Sequence, residues 1–192
     1  DVCSSDLRPI TLSSVYTKLA ELIVLPPDDL NENQYGFRKG RNTSMCCSLL
    51  HDILVSFTAG DSPVYLCGLD AEKCFDLIWH DGLFYKLWNV IPKPHWLFLY
   101  RWYSNLSCVV RWNAKYSLPF RVTRGTRQGS ILSPSLFNIF LDELLTKLSK
   151  ANTGVRVGDH KFNSFAYADD VTIFSSTVSG LQELIQICAD YA

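Results

Sequence analysis

One stretch constrains this chain more than any other: Phe165-Ala166-Tyr167-Ala168-Asp169-Asp170-Val171-Thr172-Ile173-Phe174. Two short runs of β-branched and aromatic residues flank a pair of adjacent carboxylates. Such runs suit the pleated surface of a strand, and Asp is a good turn former. The segment therefore predicts a tight β-hairpin with Ala168, Asp169 and Asp170 at its tip. Adjacent carboxylates repel each other, and a cation beside them relieves the repulsion. Hard divalent ions such as Mg²⁺ match oxygen donors of this kind. The plainer alternative is a solvated turn that happens to hold two Asp residues.

A second carboxylate centre lies upstream. Pro63-Val64-Tyr65-Leu66-Cys67-Gly68-Leu69 is nearly continuous apolar, the pattern of a strand buried on both faces, and Asp70 follows it directly. A carboxylate at the end of a buried strand is costly unless it is paired or bound to metal. As an alternative, Asp70 could cap the next helix. Glu72 and Asp76 follow, with Cys74-Phe75 between them.

Around these centres the periodicity alternates between helix and strand. Val15, Leu19, Leu22 and Ile23 predict a short helix, capped by Ser13 or Ser14, running to Leu25 and stopped by Pro26-Pro27. Gln34 to Thr43 reads as a basic, glycine-containing loop in which Arg38, Lys39 and Arg41 could meet phosphates. Thr43 is the expected cap of a helix ending at Gly60. Further helices are expected from His80 or Asp81 and from His95 to Tyr103, on either side of Pro92-Lys93-Pro94. Ser107–Trp112 and Leu118–Val122 read as paired strands joined across Asn113-Ala114-Lys115. Ser133-Pro134 opens the strongest helix, with Leu136, Ile139, Phe140, Leu144, Leu145 and Leu148 on its apolar face. A strand near Val155–Val157 and a last helix from Ser179 complete one α+β domain with helices backing a sheet.

Composition adds two points. Net charge is −1, so overall charge does not indicate a nucleic-acid partner, but the distribution does. Lys93, Arg101, Arg111, Lys115, Arg121, Arg124 and Arg127 fall in a stretch with no Asp or Glu, accompanied by Trp88, Trp96, Trp102 and Trp112. A basic, aromatic-rich surface is one that a phosphate backbone selects. The seven cysteines are odd in number, irregularly spaced and without a C-x-x-C pair. They read as small buried hydrophobes in a reducing compartment, not as a disulfide framework or zinc site. No apolar run reaches membrane-spanning length.

Five stretches in this order resemble the reverse transcriptases of non-LTR (LINE-type) retrotransposons. They are Leu7-Arg8-Pro9-Ile10, Gln34-Tyr35-Gly36-Phe37-Arg38, Leu69-Asp70 through Phe75-Asp76, Arg124-Gly125-Thr126-Arg127-Gln128-Gly129 with Leu132-Ser133-Pro134, and Tyr167-Ala168-Asp169-Asp170. The resemblance implies an α+β right-hand polymerase: fingers over roughly 1–62 and palm over roughly 63–192, with a ferredoxin-like antiparallel sheet backed by helices and the thumb absent. The segment Glu21–Asn33 is shorter than the family pattern, and Pro26-Pro27 stands where helix is expected. The implied reaction is RNA-templated DNA synthesis by two-metal nucleotidyl transfer to a primer 3′-hydroxyl.

By family position, Asp70, Asp169 and Asp170 are the catalytic acids, joined as metal ligands by the carbonyl of Ala71. Two Mg²⁺ per site are implied, with Mn²⁺ as a possible substitute. Phe75 stands where the family carries an aromatic ring beneath the sugar, excluding a 2′-hydroxyl. Arg8, Lys18 and Arg38 are candidates for the triphosphate, Gln128 and Gly129 for the incoming nucleotide and template, Tyr167 and Ala168 for the primer terminus. RNA template, DNA primer and deoxynucleoside triphosphates are the implied partners, with no membrane, and cytoplasm and nucleus the expected compartments. Two rival readings are another reverse-transcriptase class, such as a group II intron maturase, and a non-catalytic nucleic-acid-binding remnant of a decayed or truncated element.

Overall fold

In a computed structural model of the protein, residues 10–192 are described; Arg8, singled out above, lies outside them. In chain order the elements begin α1 (Val15–Ile23), α2 (Thr43–Ala59), β1 (Tyr65–Asp70), α3 (Cys74–Leu77), α4 (His80–Leu87) and α5 (Lys93–Ser104). Then come β2 (Ser107–Cys108), β3 (Arg111–Trp112), β4 (Lys115–Tyr116), β5 (Phe120–Arg121) and α6 (Ser133–Lys150). The chain closes with β6 (Val155–Val157), β7 (His160–Phe162), β8 (Ser164–Tyr167), β9 (Asp170–Ser175) and α7 (Val178–Tyr191). The described residues form two compact units, both discontinuous: 10–27 with 73–140, and 28–72 with 141–192. Helix α6 runs through both.

The second unit is built on an antiparallel sheet of order β1-β9-β8. Cross-strand partners share a face, so the register sorts the side chains into two sets. Gly68, Thr172 and Phe165 lie abreast, as do Leu66 and Phe174. Phe165 and Phe174 on this face join Cys46 and Ile53 of α2 and Val155 of β6 in one buried cluster. On the opposite face Cys67 pairs with Ile173 and Leu69 with Val171, and α7 packs there with Leu184 fully buried. Helix, sheet and helix thus form three layers. α2 is capped by Asn42, whose side chain accepts from the Met45 N–H, one residue earlier than the predicted Thr43. α7 likewise starts at Val178 on a Thr177 cap, ahead of the predicted Ser179.

Two expectations fail on β1. Among the described residues it is an edge strand, paired only with β9, and Tyr65 and Leu66 remain 38% and 42% exposed instead of buried on both faces. Asp70 at its end is exposed too, so the desolvation argument for a bound cation does not apply to it. A continuous apolar run cannot distinguish a central strand from an edge strand with apolar side chains.

The first unit packs α1, α3, α4, α5 and the start of α6. α1 is capped by Ser14, whose side chain accepts from the Thr17 N–H, and it ends at Ile23 rather than Leu25. Its periodic residues Val15, Leu19, Leu22 and Ile23 are exposed, and its buried position is Glu21. α5 begins at Lys93, with Pro94 in the first turn, where the missing N–H costs no helical bond. The predicted strand pair is present but interrupted: β2 pairs with β5, β3 with β4, around a turn in which Asn113 and Ala114 both have positive φ. Six of the seven basic residues between Lys93 and Arg127 are exposed, and Arg127 is not. Among the described cysteines only Cys46 is buried, and all six are free thiols, so the expectation of buried small hydrophobes holds for one of them. No described helix is long and apolar enough to cross a membrane.

Candidate active site

The backbone places the three acids at one end of the second unit's sheet. Asp70 is the cross-strand partner of Asp170, and Asp170 is also the partner of Tyr167, so these three side chains leave the sheet on the same face. Directly opposite residues place their Cβ atoms about 4.5–5.5 Å apart. Asp169 sits beside them in the β8–β9 turn. That turn has two residues, Ala168 and Asp169, while the predicted third member, Asp170, already belongs to β9. Asp70 and Asp170 are exposed and Asp169 half-buried. Ala71, next in the chain, is exposed.

All the donors here are hard oxygens, which suit Mg²⁺ or Mn²⁺. As the side chains stand, no group of three or more His, Cys, Asp or Glu among the described residues is gathered to hold a metal. The backbone nevertheless brings the acids to one edge of the sheet.

Beside the turn lies the start of the basic loop, which holds one of the five family stretches, Gln34 to Arg38. Asn33, Gln34 and Tyr35 run parallel to β8, with the Tyr35 N–H donating to the Ala166 carbonyl and the Ala166 N–H to the Asn33 carbonyl, both at 2.8 Å. The Gln34 side chain is 1% exposed and turns towards Ala168. Arg38 is engaged in its own loop: its Nε lies 2.8 Å from Asp28 Oδ1, and its Nη1 donates to the carbonyl of Asn31 at 2.9 Å. Its guanidinium ties residues 28–38 together. Arg41 donates to the Glu32 carbonyl and lies 5.0 Å from the Tyr35 ring centre.

The other candidate residues fall in the first unit. Phe75, half-buried in α3, stacks on Phe137 with ring centres 4.6 Å apart. Its carbonyl accepts the Thr126 N–H at 2.7 Å, which fixes α3 to the glycine-containing loop. Gln128 donates from Nε2 to both oxygens of Asp76, at 2.9 and 3.0 Å, and its own carbonyl accepts the Thr11 N–H at 2.7 Å. Gly129 has φ +101°, a backbone state that L side chains rarely adopt. Lys18 projects from α1 into solvent. Asp76 as the partner of Gln128 was missed from the sequence, although its place one residue after Phe75 was visible.

Glu21 was missed as well. Its fully buried carboxylate accepts from Arg127 Nη2 at 2.5 Å and from the Ile131 N–H at 2.8 Å. The Arg127 guanidinium also lies over the Trp102 ring at 4.7 Å. One cation of the basic stretch is therefore internal and neutralised. Nearby, burial pushes the Tyr103 phenol up to about 12, with Arg127 pulling the other way. Glu21 is the one acid on α1, and that was the available signal.

The family model described as "Reverse transcriptase (RNA-dependent DNA polymerase)" matches residues 3–192, and the chain belongs to that family. Its similar relatives include a probable RNA-directed DNA polymerase from transposon BS of Drosophila melanogaster, 31% identical across 95% of this chain and 21% of the relative. The Pol polyprotein of the type-2 retrotransposable element R2DM, also from Drosophila melanogaster, is 28% identical across 97% of this chain and 18% of its own length. The chain thus spans about a fifth of these relatives. Among solved structures, apo telomerase from Candida tropicalis lacking its C-terminal domain matches with TM-score 0.60 at 13% identity, covering 91% of this chain and 35% of that one. Telomerase from the same organism with a fragment of telomeric RNA matches with TM-score 0.61, also at 13% identity, covering 89% and 29%. The fold is therefore that of reverse transcriptases, as the five motifs implied.

Proposed function

We propose that this chain carries the active centre of an RNA-directed DNA polymerase of a non-LTR mobile element, extending a primer 3′-hydroxyl along an RNA template. The observation that carries the reading is the β1–β9 register, which sets Asp70 opposite Asp170 with Asp169 in the adjoining turn. Asp70, Asp169, Asp170 and the Ala71 carbonyl are the groups that would hold Mg²⁺, or Mn²⁺ in its place. Held by these residues, a divalent ion would supply charge neutralisation for phosphoryl transfer.

The chain's own residues position the reactants. Phe75, backed by Phe137, limits the space beneath the nucleotide sugar and selects deoxynucleotides. Gln128, oriented by Asp76, and Gly129 approach the incoming nucleotide and template. Arg8 and Lys18 offset the charge of the triphosphate. Tyr167 and Ala168 lie at the primer terminus. The six exposed basic residues between Lys93 and Arg124 contact nucleic-acid phosphates, an attraction that weakens with salt. Telomerase, a structural neighbour, is seen with an RNA fragment, which supports a nucleic-acid partner here. The free cysteines are in keeping with work in a reducing compartment, cytoplasm or nucleus.

The test is primer extension on an RNA template with Mg²⁺, by a polypeptide carrying these residues and extended to the length of its relatives. Asp169→Asn should lower turnover by orders of magnitude and leave template affinity within about twofold, since it removes stabilisation specific to the transition state. Undiminished synthesis by Asp169→Asn would refute the assignment of the acids. Template binding without synthesis by the extended wild-type protein would favour the non-catalytic remnant.

A further inference from the structure

The turn that presents Asp169 is strained. Ala168 has φ +57°, in the left-handed region where a β-carbon meets the following carbonyl. It is the first of two loop residues, and Asp169 does not share the positive φ. That sign pattern belongs to the type II′ hairpin turn, which favours Gly at the first position. Here the residue is Ala, 5% exposed, so the surroundings must hold the conformation.

The surroundings that do so are local and specific. Gln34 Oε1 accepts the Ala168 N–H at 3.1 Å and the Gly36 N–H at 2.8 Å, and Gln34 Nε2 donates to the Ala168 carbonyl at 3.3 Å. One buried carboxamide thereby satisfies both backbone groups of the strained residue. Gly36 makes the approach possible: a β-carbon there would fall 2.0 Å from the Ala168 nitrogen. The bonds from Asn33 and Tyr35 to Ala166 fix the base from which Gln34 reaches.

We propose that Gln34 is a positioning residue for the catalytic acids, its carboxamide holding the Ala168 peptide groups and through them the direction of Asp169 and Asp170. This rests on the polymerase reading above. A Gln that merely satisfied a buried loop would affect stability alone. A Gln that aims the turn affects turnover and metal use in the folded enzyme, and its role is relieved when the turn no longer needs bracing.

The experiment uses the extended polymerase and compares wild type, Gln34→Leu and Gln34→Leu with Ala168→Gly. For Gln34→Leu, kcat should fall about 10–100-fold, the range expected when reacting groups are misplaced by about 1 Å, while template affinity stays within about twofold. The Mg²⁺ concentration giving half-maximal rate should rise severalfold. Adding Ala168→Gly should recover much of the lost kcat, because Gly adopts this φ unaided. If Gln34→Leu does not fold, Gln34→Glu takes its place: it keeps size and acceptor and removes the donor to the Ala168 carbonyl. A kcat loss no larger than the unfolded fraction, with unchanged Mg²⁺ dependence, would overturn the proposal, as would no recovery with Ala168→Gly. Asp169→Asn is the control: if that variant remains active, the polymerase reading fails, whereas an insensitive Gln34 with an essential Asp169 defeats only the positioning role.

Discussion

Replacing Glu21 with Ala is expected to lower the stability of the first unit by about 3–5 kcal/mol, the range for breaking one side of a buried ion pair. The structure supports that magnitude term by term. The carboxylate makes two charge-assisted bonds, to Arg127 and to the Ile131 N–H, each contributing about 1.5–3 kcal/mol. Arg127 would keep only part of its compensation. Its side chain is 9% exposed and its buried Nε has no hydrogen-bond partner among the described residues, while the Trp102 face contributes about 1–2 kcal/mol. The net sits near the lower half of the range.

The assay is favoured by the sequence, because Trp79, Trp88, Trp96, Trp102 and Trp112 all fall within residues 73–140. Tryptophan fluorescence in urea therefore reports the first unit. With a slope of about 2 kcal/mol per molar, the midpoint should drop by about 1.5–2 M. The pair Glu21→Leu with Arg127→Met should lose much less, since an apolar pair of similar size needs no desolvation of charge. A midpoint shift below about 0.4 M for Glu21→Ala would refute the reasoning, showing that water or another group reaches Arg127 as easily as Glu21 does.

Other outcomes follow from the same structure. Tyr103 holds its proton up to about pH 12 when folded and to about 10 when unfolded, so stability is fully present below pH 10 and falls as pH rises to 12, by about 2–3 kcal/mol. Tyr103→Phe should remove that alkaline component from urea midpoints measured at pH 9 and 11.5. Burial, with Cys67 adding to it, pushes the Cys188 thiol to about 11, so its alkylation at pH 8 should run about a hundredfold slower than that of an ordinary thiol of pKa 9, as peptide mapping would show. Phe75→Val should narrow the ratio of kcat/KM for a deoxynucleotide over its ribo form, and an unchanged ratio would assign Phe75 to its stack on Phe137 alone.

What the sequence made legible was whatever depends on local pattern. The hairpin at 164–175, the helix opened by Ser133-Pro134 and the paired strands around Asn113 all follow from period and turn chemistry. The pairing of two adjacent Asp with a hairpin turn was legible in the same way, because Asp between two apolar runs favours a turn. What escaped depends on partners far away in the chain. Nothing near Leu66 says that β1 has a strand neighbour on one side only among the described residues, and nothing near Glu21 announces Arg127, more than a hundred residues on. Gln34 reads as a loop residue because its partner is the backbone of Ala168, and backbone atoms leave no mark in a sequence. Arg38 shows the same difficulty in reverse, since a cation in a basic loop looks free until Asp28 is seen beside it.

At the acid end of the sheet three local rules are broken together. Asp70 and Asp170 are like charges directly opposite, which costs about 0.2–1 kcal/mol. Ala168 occupies a left-handed φ, which costs about 1–2 kcal/mol. Among the described residues β1 has no partner on its outer edge. The far ends of the same strands carry the opposite character: Phe174 and Ile173 are fully buried, and α2 and α7 cover the two faces. A sheet anchored at one end can hold conflict at the other, and such conflict gathers where chemistry demands it. The consequence is measurable. Asp170→Asn removes the like-charge contact and keeps the shape, so it should raise the stability of the second unit by up to about 1 kcal/mol in metal-free buffer while abolishing synthesis. Hydrogen exchange of the β1, β8 and β9 amides would detect the gain as slower opening. Unchanged or faster exchange would mean that Asp70 and Asp170 do not oppose each other in solution, and the β1–β9 register would then lose its claim to define the site.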